Sequence, residues 1–191
     1  MILIKIIESP YVSDKLDVAL QPLIKNPAAK RVVAVTSVLK FLSVSVGIDF
    51  LRAVVKTDPY DALLSISEGA TEFANYSEDS ILPHSAVFSE FFLKKYVGGD
   101  GIISVIARLA VEAAKRVNSS DAPNSQRKRE ARRALGAFLQ FKNIQEILEP
   151  YGNKGDLILE LYENLRDNLN INNEPLFWLQ YSIFMQSAGE Y

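Results

Sequence analysis

The stretch Gly98-Gly-Asp-Gly101 is the sharpest break in an otherwise helical pattern, and it decides how this chain is organised. Three glycines in four residues give the backbone a freedom that the interior of a helix avoids. No lysine or serine follows them at the spacing of a phosphate-binding loop, so a linker or a helix cap is their expected role. The stretch therefore predicts two regions, one spanning residues 1–97 and the other spanning residues 102–191.

Residues after the break follow a helical pattern to the end of the chain. Apolar residues recur every three or four positions, and the linkers between the periodic segments are polar or contain glycine. The second region is therefore expected to consist of antiparallel helix pairs. The pattern predicts four helices, over 102–117, 126–149, 156–168 and 175–187.

Residues before the break predict shorter helices with one irregular segment among them. Asn26-Pro27 ends the first helix, because a residue before proline disfavours the helical conformation. Thr57-Asp58-Pro59 begins another helix, with a cap followed by an early proline. The segment 73–82 is the least helical and accommodates a small β-hairpin, with weak strands at 72–75 and 80–82. The expected fold class is all-α, with helices over 14–25, 28–46, 48–56, 60–70 and 85–97.

The composition is that of an ordinary globular protein. Apolar residues make up 48% of the 191 positions and charged residues 23%, with a net charge of −2, which argues against nucleic-acid binding over the whole surface. The chain has no cysteine, so disulfides, thiolate metal sites and a cysteine nucleophile are excluded. The apolar stretch 32–46 contains Lys40 and is shorter than the roughly 20 residues of a membrane-spanning helix. A soluble cytoplasmic protein without membrane association is expected.

The last predicted helix carries a large aromatic face, formed by Phe177, Trp178, Tyr181 and Phe184. A lone terminal helix does not leave such a face in water. The face therefore needs a partner, either from elsewhere in this chain or from residues outside it. We expect a partner-binding face on a helical region that continues past Tyr191 in a longer protein.

One predicted helix of the second region opens with five basic residues in seven, Arg127, Lys128, Arg129, Arg132 and Arg133. Arg129, Arg132 and Arg133 share one face, and such a stripe can follow phosphates without reading base sequence. The alternative is a solvated face, because an ordinary core stripe runs along the same helix. Basic residues in the first turn also oppose the helix dipole, a small cost that slightly favours a role.

Three segments of the first region resemble the winged-helix part that follows the ATPase core in STAND-type P-loop NTPases. They are Gly47–Val55 as the short middle helix, Pro59–Ser67 as the third helix, and Ile81–Leu93 after the hairpin. The second region, with Glu174-Pro-Leu-Phe-Trp-Leu-Gln-Tyr181, is similar to the helices that lead into tetratricopeptide-like arrays in bacterial members. The family is widespread in bacterial antiphage defence and in plant and animal immune receptors.

This resemblance implies a regulatory role without a reaction in this chain. A histidine at the start of the helix after the hairpin, here His84, would reach the β-phosphate of bound ADP, and the alternative is a helix-start residue that faces solvent. No G-x-x-x-x-G-K-[ST] motif occurs in the chain, so an ATPase core, and with it ADP or ATP, would lie upstream or on another chain. The chain itself is expected to bind no cofactor and no metal.

The favoured function is non-catalytic: a regulatory and scaffold segment of a STAND-like NTPase that couples nucleotide state to a helical sensor array in antiphage defence. A self-contained helical protein–protein adaptor is the first alternative, and a nucleic-acid-binding module that uses the stripe Arg127–Arg133 is the second. An enzyme is disfavoured, because no nucleophile–base pair is recognisable. The helix predicted over 60–70 has acidic residues and no Arg or Lys, which argues against a DNA-reading helix.

Overall fold

The computed structural model describes residues 10–66, 74–77, 80–83, 85–120 and 125–189, and most of these residues are helical. The chain forms two units, Met1–Gly98 and Gly99–Tyr191. The division falls within the glycine-rich stretch. Gly98 ends a π-helical turn with a φ of +75°, a conformation that glycine adopts without steric cost. The residues that follow Gly98 form the first turn of a long helix and not a linker.

The first unit combines helices with one pair of strands. Asn26 begins the second helix by accepting hydrogen bonds from the backbone N–H groups of Ala28 and Ala29, and Asp58 begins the fourth in the same way. The order is α1 (Pro10–Lys25), α2 (Pro27–Phe41), α3 (Ile48–Val55), α4 (Pro59–Leu64), β1 (Ala74–Ser77), β2 (Ser80–Pro83), α5 (Ala86–Phe92) and a π-helical turn (Leu93–Val97).

Helix α2 is the centre of the first unit. Its middle is buried along its whole circumference, and it packs against α1, α3, α4, β2 and α5. The helix ends at Phe41 rather than near residue 46, because Ser43 adopts a left-handed conformation and the Val44 N–H donates to the Leu39 carbonyl at 2.9 Å. The buried hydroxyl of Thr36 donates to the Val32 carbonyl at 3.0 Å, which satisfies it inside the core.

Strands β1 and β2 pair antiparallel, with Ala74 opposite Pro83 and Ser77 opposite Ser80. The first strand therefore begins two residues later than the expected 72–75. Helix α4 ends at Leu64, well before the expected residue 70. The Ser65 hydroxyl donates to the Ala62 carbonyl at 2.7 Å at this end of the helix, which provides a local alternative to a further helical turn.

The second unit consists of helices throughout its described residues. The predicted helix over 126–149 is two helices, because Gln140 adopts an extended conformation between them. Side chains satisfy the backbone groups at this break: Gln180 Oε1 accepts from the Phe141 N–H at 2.9 Å, and Asn143 Nδ2 donates to the Ala137 carbonyl at 3.0 Å. The helices are α6 (Gly98–Val117), α7 (Gln126–Leu139), α8 (Phe141–Ile147), α9 (Lys154–Arg166), α10 (Leu169–Asn172) and α11 (Pro175–Ala188).

The core of the second unit is rich in aromatic side chains that come from different helices. Phe138 of α7, Tyr162 of α9 and Phe177 of α11 are all fully buried. The apolar face of α6 adds Ile106 and Leu109, which are also inaccessible to solvent. None of the helices in the described part of the chain is long and apolar enough to cross a membrane.

Candidate functional site

Three sets of residues were expected to carry function, and the structure describes two of them. His84, the expected nucleotide-sensing residue, lies outside the described residues. Within the residues that the structure does describe, no three side chains of His, Cys, Asp or Glu come together as a metal site. The aromatic face of α11 and the basic stripe of α7 are both well described.

Helix α11 turns much of its aromatic face toward its own unit. Phe177 and Phe184 are buried, with 0% and 5% of their surface exposed. Tyr162 of α9 covers them, with ring centroids 6.0 Å from Phe177 and 5.8 Å from Phe184. Of the two partners that the sequence left open, one within the chain and one outside it, these two phenylalanines have the first, because α9 covers them.

Tyr181 and Trp178 lie at the edge of this aromatic cluster. The Tyr181 ring stacks on Tyr162 at 5.4 Å, and its hydroxyl donates to the Glu163 carboxylate. The Trp178 ring stays 41% exposed, while its Nε1–H donates to the Asn172 carbonyl at 2.7 Å. Tyr181 is thus tied to α9 and Trp178 to α10. Of these two residues, Trp178 is the one that presents a large apolar surface to solvent.

The solvent side of α11 is apolar as well. Leu179 is 57% exposed and Ile183 is 40% exposed, and together with Trp178 they form what we call the outer apolar stripe. Sequence reasoning missed the two aliphatic residues because the aromatic residues dominate the pattern. The signal was present, since Pro175–Ala188 is apolar almost all around, and such a helix keeps an apolar face in water after one side is buried.

The basic stripe of α7 divides into exposed arginines and a buried lysine. Arg127, Arg129, Arg132 and Arg133 are exposed. Arg129, Arg132 and Arg133 share one side of the helix, and we call these three residues the arginine face. Lys128 is only 8% exposed and lies on the core side of the helix. The stripe therefore presents four positive charges on its exposed surface, one fewer than expected.

In the described part of the chain, the arginine face forms no ion pair. Among the described residues, its side-chain hydrogen bond is from Arg129 to the neutral amide oxygen of Gln126 at 2.9 Å. Three arginines elsewhere are paired with acids: Arg52 with Asp58 at 2.8 Å, Arg116 with Glu112 at 2.8 Å, and Arg166 with Glu163 at 2.6 Å. Arg31 donates to the Val55 carbonyl at 3.0 Å. The contrast marks α7 as a place where positive charge is left uncompensated.

A polar cluster in the first unit connects α1 to the π-helical turn. Lys95 Nζ lies 2.6 Å from an Asp17 carboxylate oxygen, and the Tyr96 hydroxyl donates to the same carboxylate. The hydrogen bond from Lys95, with a second from Tyr96, lowers the pKa of Asp17. Burial, together with the hydrogen bond to Asp17, raises the pKa of Tyr96. These groups satisfy one another, so the cluster ties two elements together.

A shallow, open depression lies beside the turn between α1 and α2. The one hydroxyl in it, Ser65 Oγ, accepts from Asn26 Nδ2 at 2.9 Å and donates to the Ala62 carbonyl. Both of its hydrogen-bonding roles are thus used structurally. The lining residues are Pro22, Lys25, Asn26, Pro27, Ser65 and Ile66.

Neither a family model, nor a curated protein, nor a solved structure matches this chain. Its function is therefore argued from the geometry of its own residues.

Proposed function

We propose that this chain is a non-catalytic regulatory and scaffold segment of a STAND-like NTPase. In this proposal the first unit is a winged-helix-like element that couples nucleotide state to domain opening, and the second unit leads into a helical sensor array. Antiphage defence is the expected setting. Nucleotide would be held by an ATPase core outside this chain.

The observation that supports the proposal is the order and packing of elements in the first unit. Three helices, α2, α3 and α4, precede the strands β1 and β2, which is the element order of a winged helix. Helix α2 packs against both α3 and α4, and β2 packs against α2. A winged helix has this arrangement, in which a helical trio is extended by a hairpin.

Helix α4 favours a structural use of this element over DNA reading. In a DNA-bound winged helix, α4 would be the recognition helix, yet Pro59–Leu64 contains Asp61 and no Arg or Lys. Its cap, Asp58, is held by Arg52 at 2.8 Å, so this cation is already paired. Major-groove readers need basic or amide side chains at base edges, and α4 offers none.

Nucleotide content of the protein purified from its source cells tests this proposal. The expected result is ADP bound to an assembly that contains this chain, and a lower ADP content in the His84→Ala variant. An Asp61→Asn variant serves as the control, because it changes an exposed residue of the first unit that has no expected contact with nucleotide. Absence of nucleotide from the wild-type assembly would contradict the proposal.

A self-contained protein–protein adaptor is the second candidate, and the outer apolar stripe is the observation that favours it. Trp178, Leu179 and Ile183 place three apolar side chains in water on one helix, which is typical of an interaction surface. Sedimentation of the purified chain tests this candidate. It predicts an oligomer that Leu179→Glu/Ile183→Glu dissociates and that Leu169→Glu, at a residue of α10 that is 81% exposed, leaves intact.

A further inference from the structure

We propose that the arginine face of α7 binds the phosphate backbone of nucleic acid without reading base sequence. This inference does not depend on the STAND-like function. It rests on the placement of three arginines on one side of α7, on the absence of acids paired with them in the described residues, and on the surface that surrounds them.

The arginine face is held in place by the packing of the helix beneath it. Ala131, Ala134 and Phe138 are buried on the opposite side of α7, so the helix cannot rotate its arginines toward the core. Arg129, Arg132 and Arg133 follow the three- and four-residue spacing that brings side chains together on one helix face. The core of the second unit thus presents these cations to solvent.

The length of the arginine face suits a short run of phosphates. Arg129 to Arg133 spans about 6 Å along the axis at the rise of an α-helix. Nucleic-acid strands carry one charge per roughly 3.4 Å in a duplex and adapt their spacing when single-stranded. Two to three phosphates of one strand therefore lie within reach, roughly the number that three flexible guanidinium groups can neutralise.

Electrostatics within α7 also point to an external anion. Arginines at i and i+4 repel one another, and cations in the first turn oppose the helix dipole. Glu130 is the single acid of α7, and its carboxylate accepts from the Gln126 amide at 2.5 Å instead of pairing with an arginine. A polyanion bound along this face relieves both the repulsion and the unfavourable dipole interaction.

The surroundings favour nucleic acid over a membrane surface. A helix that lies on a membrane needs large apolar side chains beside its basic ones. The large apolar side chains of α7 are buried in the core, and the exposed ones among the described residues all belong to other elements: Val18, Leu64, Leu169, Trp178, Leu179 and Ile183.

The same surface favours contact with phosphates over contact with bases. Bases bind proteins through aromatic stacking or through hydrogen bonds to their edges. Phe138, the aromatic residue of α7, is 0% exposed, so it offers no stacking platform. Arginine is well suited to phosphate, because its planar guanidinium donates two hydrogen bonds to the same anion.

Fluorescence anisotropy with labelled 20-nucleotide single strands of RNA and DNA, at several salt concentrations, tests the inference. Three phosphate contacts predict a slope of log K against log salt of about −2.1. The Arg132→Gln/Arg133→Gln variant removes two contacts, so the slope falls in magnitude by about 1.4 and affinity at low salt falls about tenfold. Randomised and homopolymeric strands are expected to bind alike.

The matched control is Arg108→Gln/Lys115→Gln. It removes the same two charges from exposed positions of α6 in the same unit, and it is expected to change binding less than threefold. Equal losses in both variants would overturn the proposal, because binding would then follow net charge alone. Tighter binding to polyglutamate or to vesicles with 30% phosphatidylserine than to the strands, or no binding at 50 mM salt, would also overturn it. Thermal unfolding of both variants is expected to match the wild type, since all four positions are exposed.

Discussion

Tyr162 is the residue on which the aromatic core of the second unit depends. Its ring is fully buried and lies within 6.0 Å of Phe177, Tyr181 and Phe184. Its hydroxyl donates to the Leu139 carbonyl at 3.0 Å, at the end of α7. One side chain therefore connects α9 and α11 by packing and both of them to α7 by a hydrogen bond.

Substitutions at Tyr162 should separate the packing contribution from the hydrogen bond. Tyr162→Phe keeps the ring and removes the hydroxyl, so the free energy of unfolding is expected to fall by about 1 kcal/mol. Tyr162→Ala also removes the ring and leaves a cavity, with an expected loss of about 3–5 kcal/mol. Urea unfolding measures both values, and equal losses would contradict the packing role.

The ionisation of Tyr162 predicts a dependence of stability on alkaline pH. Burial raises the pKa of this phenol above its usual value, which is about 10 in an unfolded chain. Below pH 10 the phenol is protonated in both states, and its contribution to the free energy of unfolding is fully present. Above pH 10 the unfolded state releases the proton first, so this contribution is lost as the pH rises. Unfolding free energy is therefore expected to fall above pH 10 more steeply in the wild type than in Tyr162→Phe. Identical pH profiles for the two proteins would rule out this effect.

At the scale of elements, the break between α7 and α8 shows what a local pattern cannot predict. The apolar periodicity continues from 126 to 149 and contains no proline, so sequence reasoning predicts one helix. The break at Gln140 is supported from 40 residues away in sequence, by Gln180 on α11. Packing against a distant helix outweighs local propensity here.

Gln180→Ala should weaken this break without disturbing the aromatic core. The Phe141 N–H then loses its acceptor, and the free energy of unfolding is expected to fall by about 1 kcal/mol. Gln186→Ala is the control, because Gln186 is an exposed residue of the same helix and its change is expected to be within about 0.5 kcal/mol. Chemical denaturation of the two variants decides the matter, and a control as unstable as Gln180→Ala would refute the assignment.

The beginning of α6 lies close to α9 at Gly99. A Cβ added at Gly99 would lie 2.5 Å from Leu157 Cδ1, and Leu157 is itself buried. Gly99→Ala is therefore expected to lower the free energy of unfolding by about 1 kcal/mol, because the clash outweighs the gain in helix propensity. At Gly155 an added Cβ meets nothing within 4 Å, so Gly155→Ala is expected to be neutral or stabilising. Thermal unfolding measures both, and a stabilised Gly99→Ala protein would contradict the contact.

For the whole molecule, the sequence predicted the helical character well and the surfaces less well. Helical periodicity and capping residues such as Asn26 and Asp58 are local signals, so the helix starts at Pro27 and Pro59 lie within one residue of their predicted positions. Which face of a helix is covered depends on contacts that are distant in sequence. Phe177 and Phe184 accordingly proved buried by Tyr162, while Leu179 and Ile183 were left exposed.

The basic stripe illustrates the same division between local and distant information. The sequence identified the arginines, since charge and helical spacing are local properties. Only the structure placed Lys128 on the core side and showed which acids pair with other arginines, such as Glu112 with Arg116. The sequence therefore predicted which arginines form this face, but not that they lack acidic partners among the described residues.

The central claim, that this chain works as a regulatory segment of a STAND-like NTPase, is tested most directly by the intact mass of the native gene product from its source cells. The account predicts a mass far above the 21.3 kDa of this chain, with P-loop peptides in the same polypeptide or in a chain that copurifies with it. A mass of 21.3 kDa, with no P-loop protein bound, would contradict it.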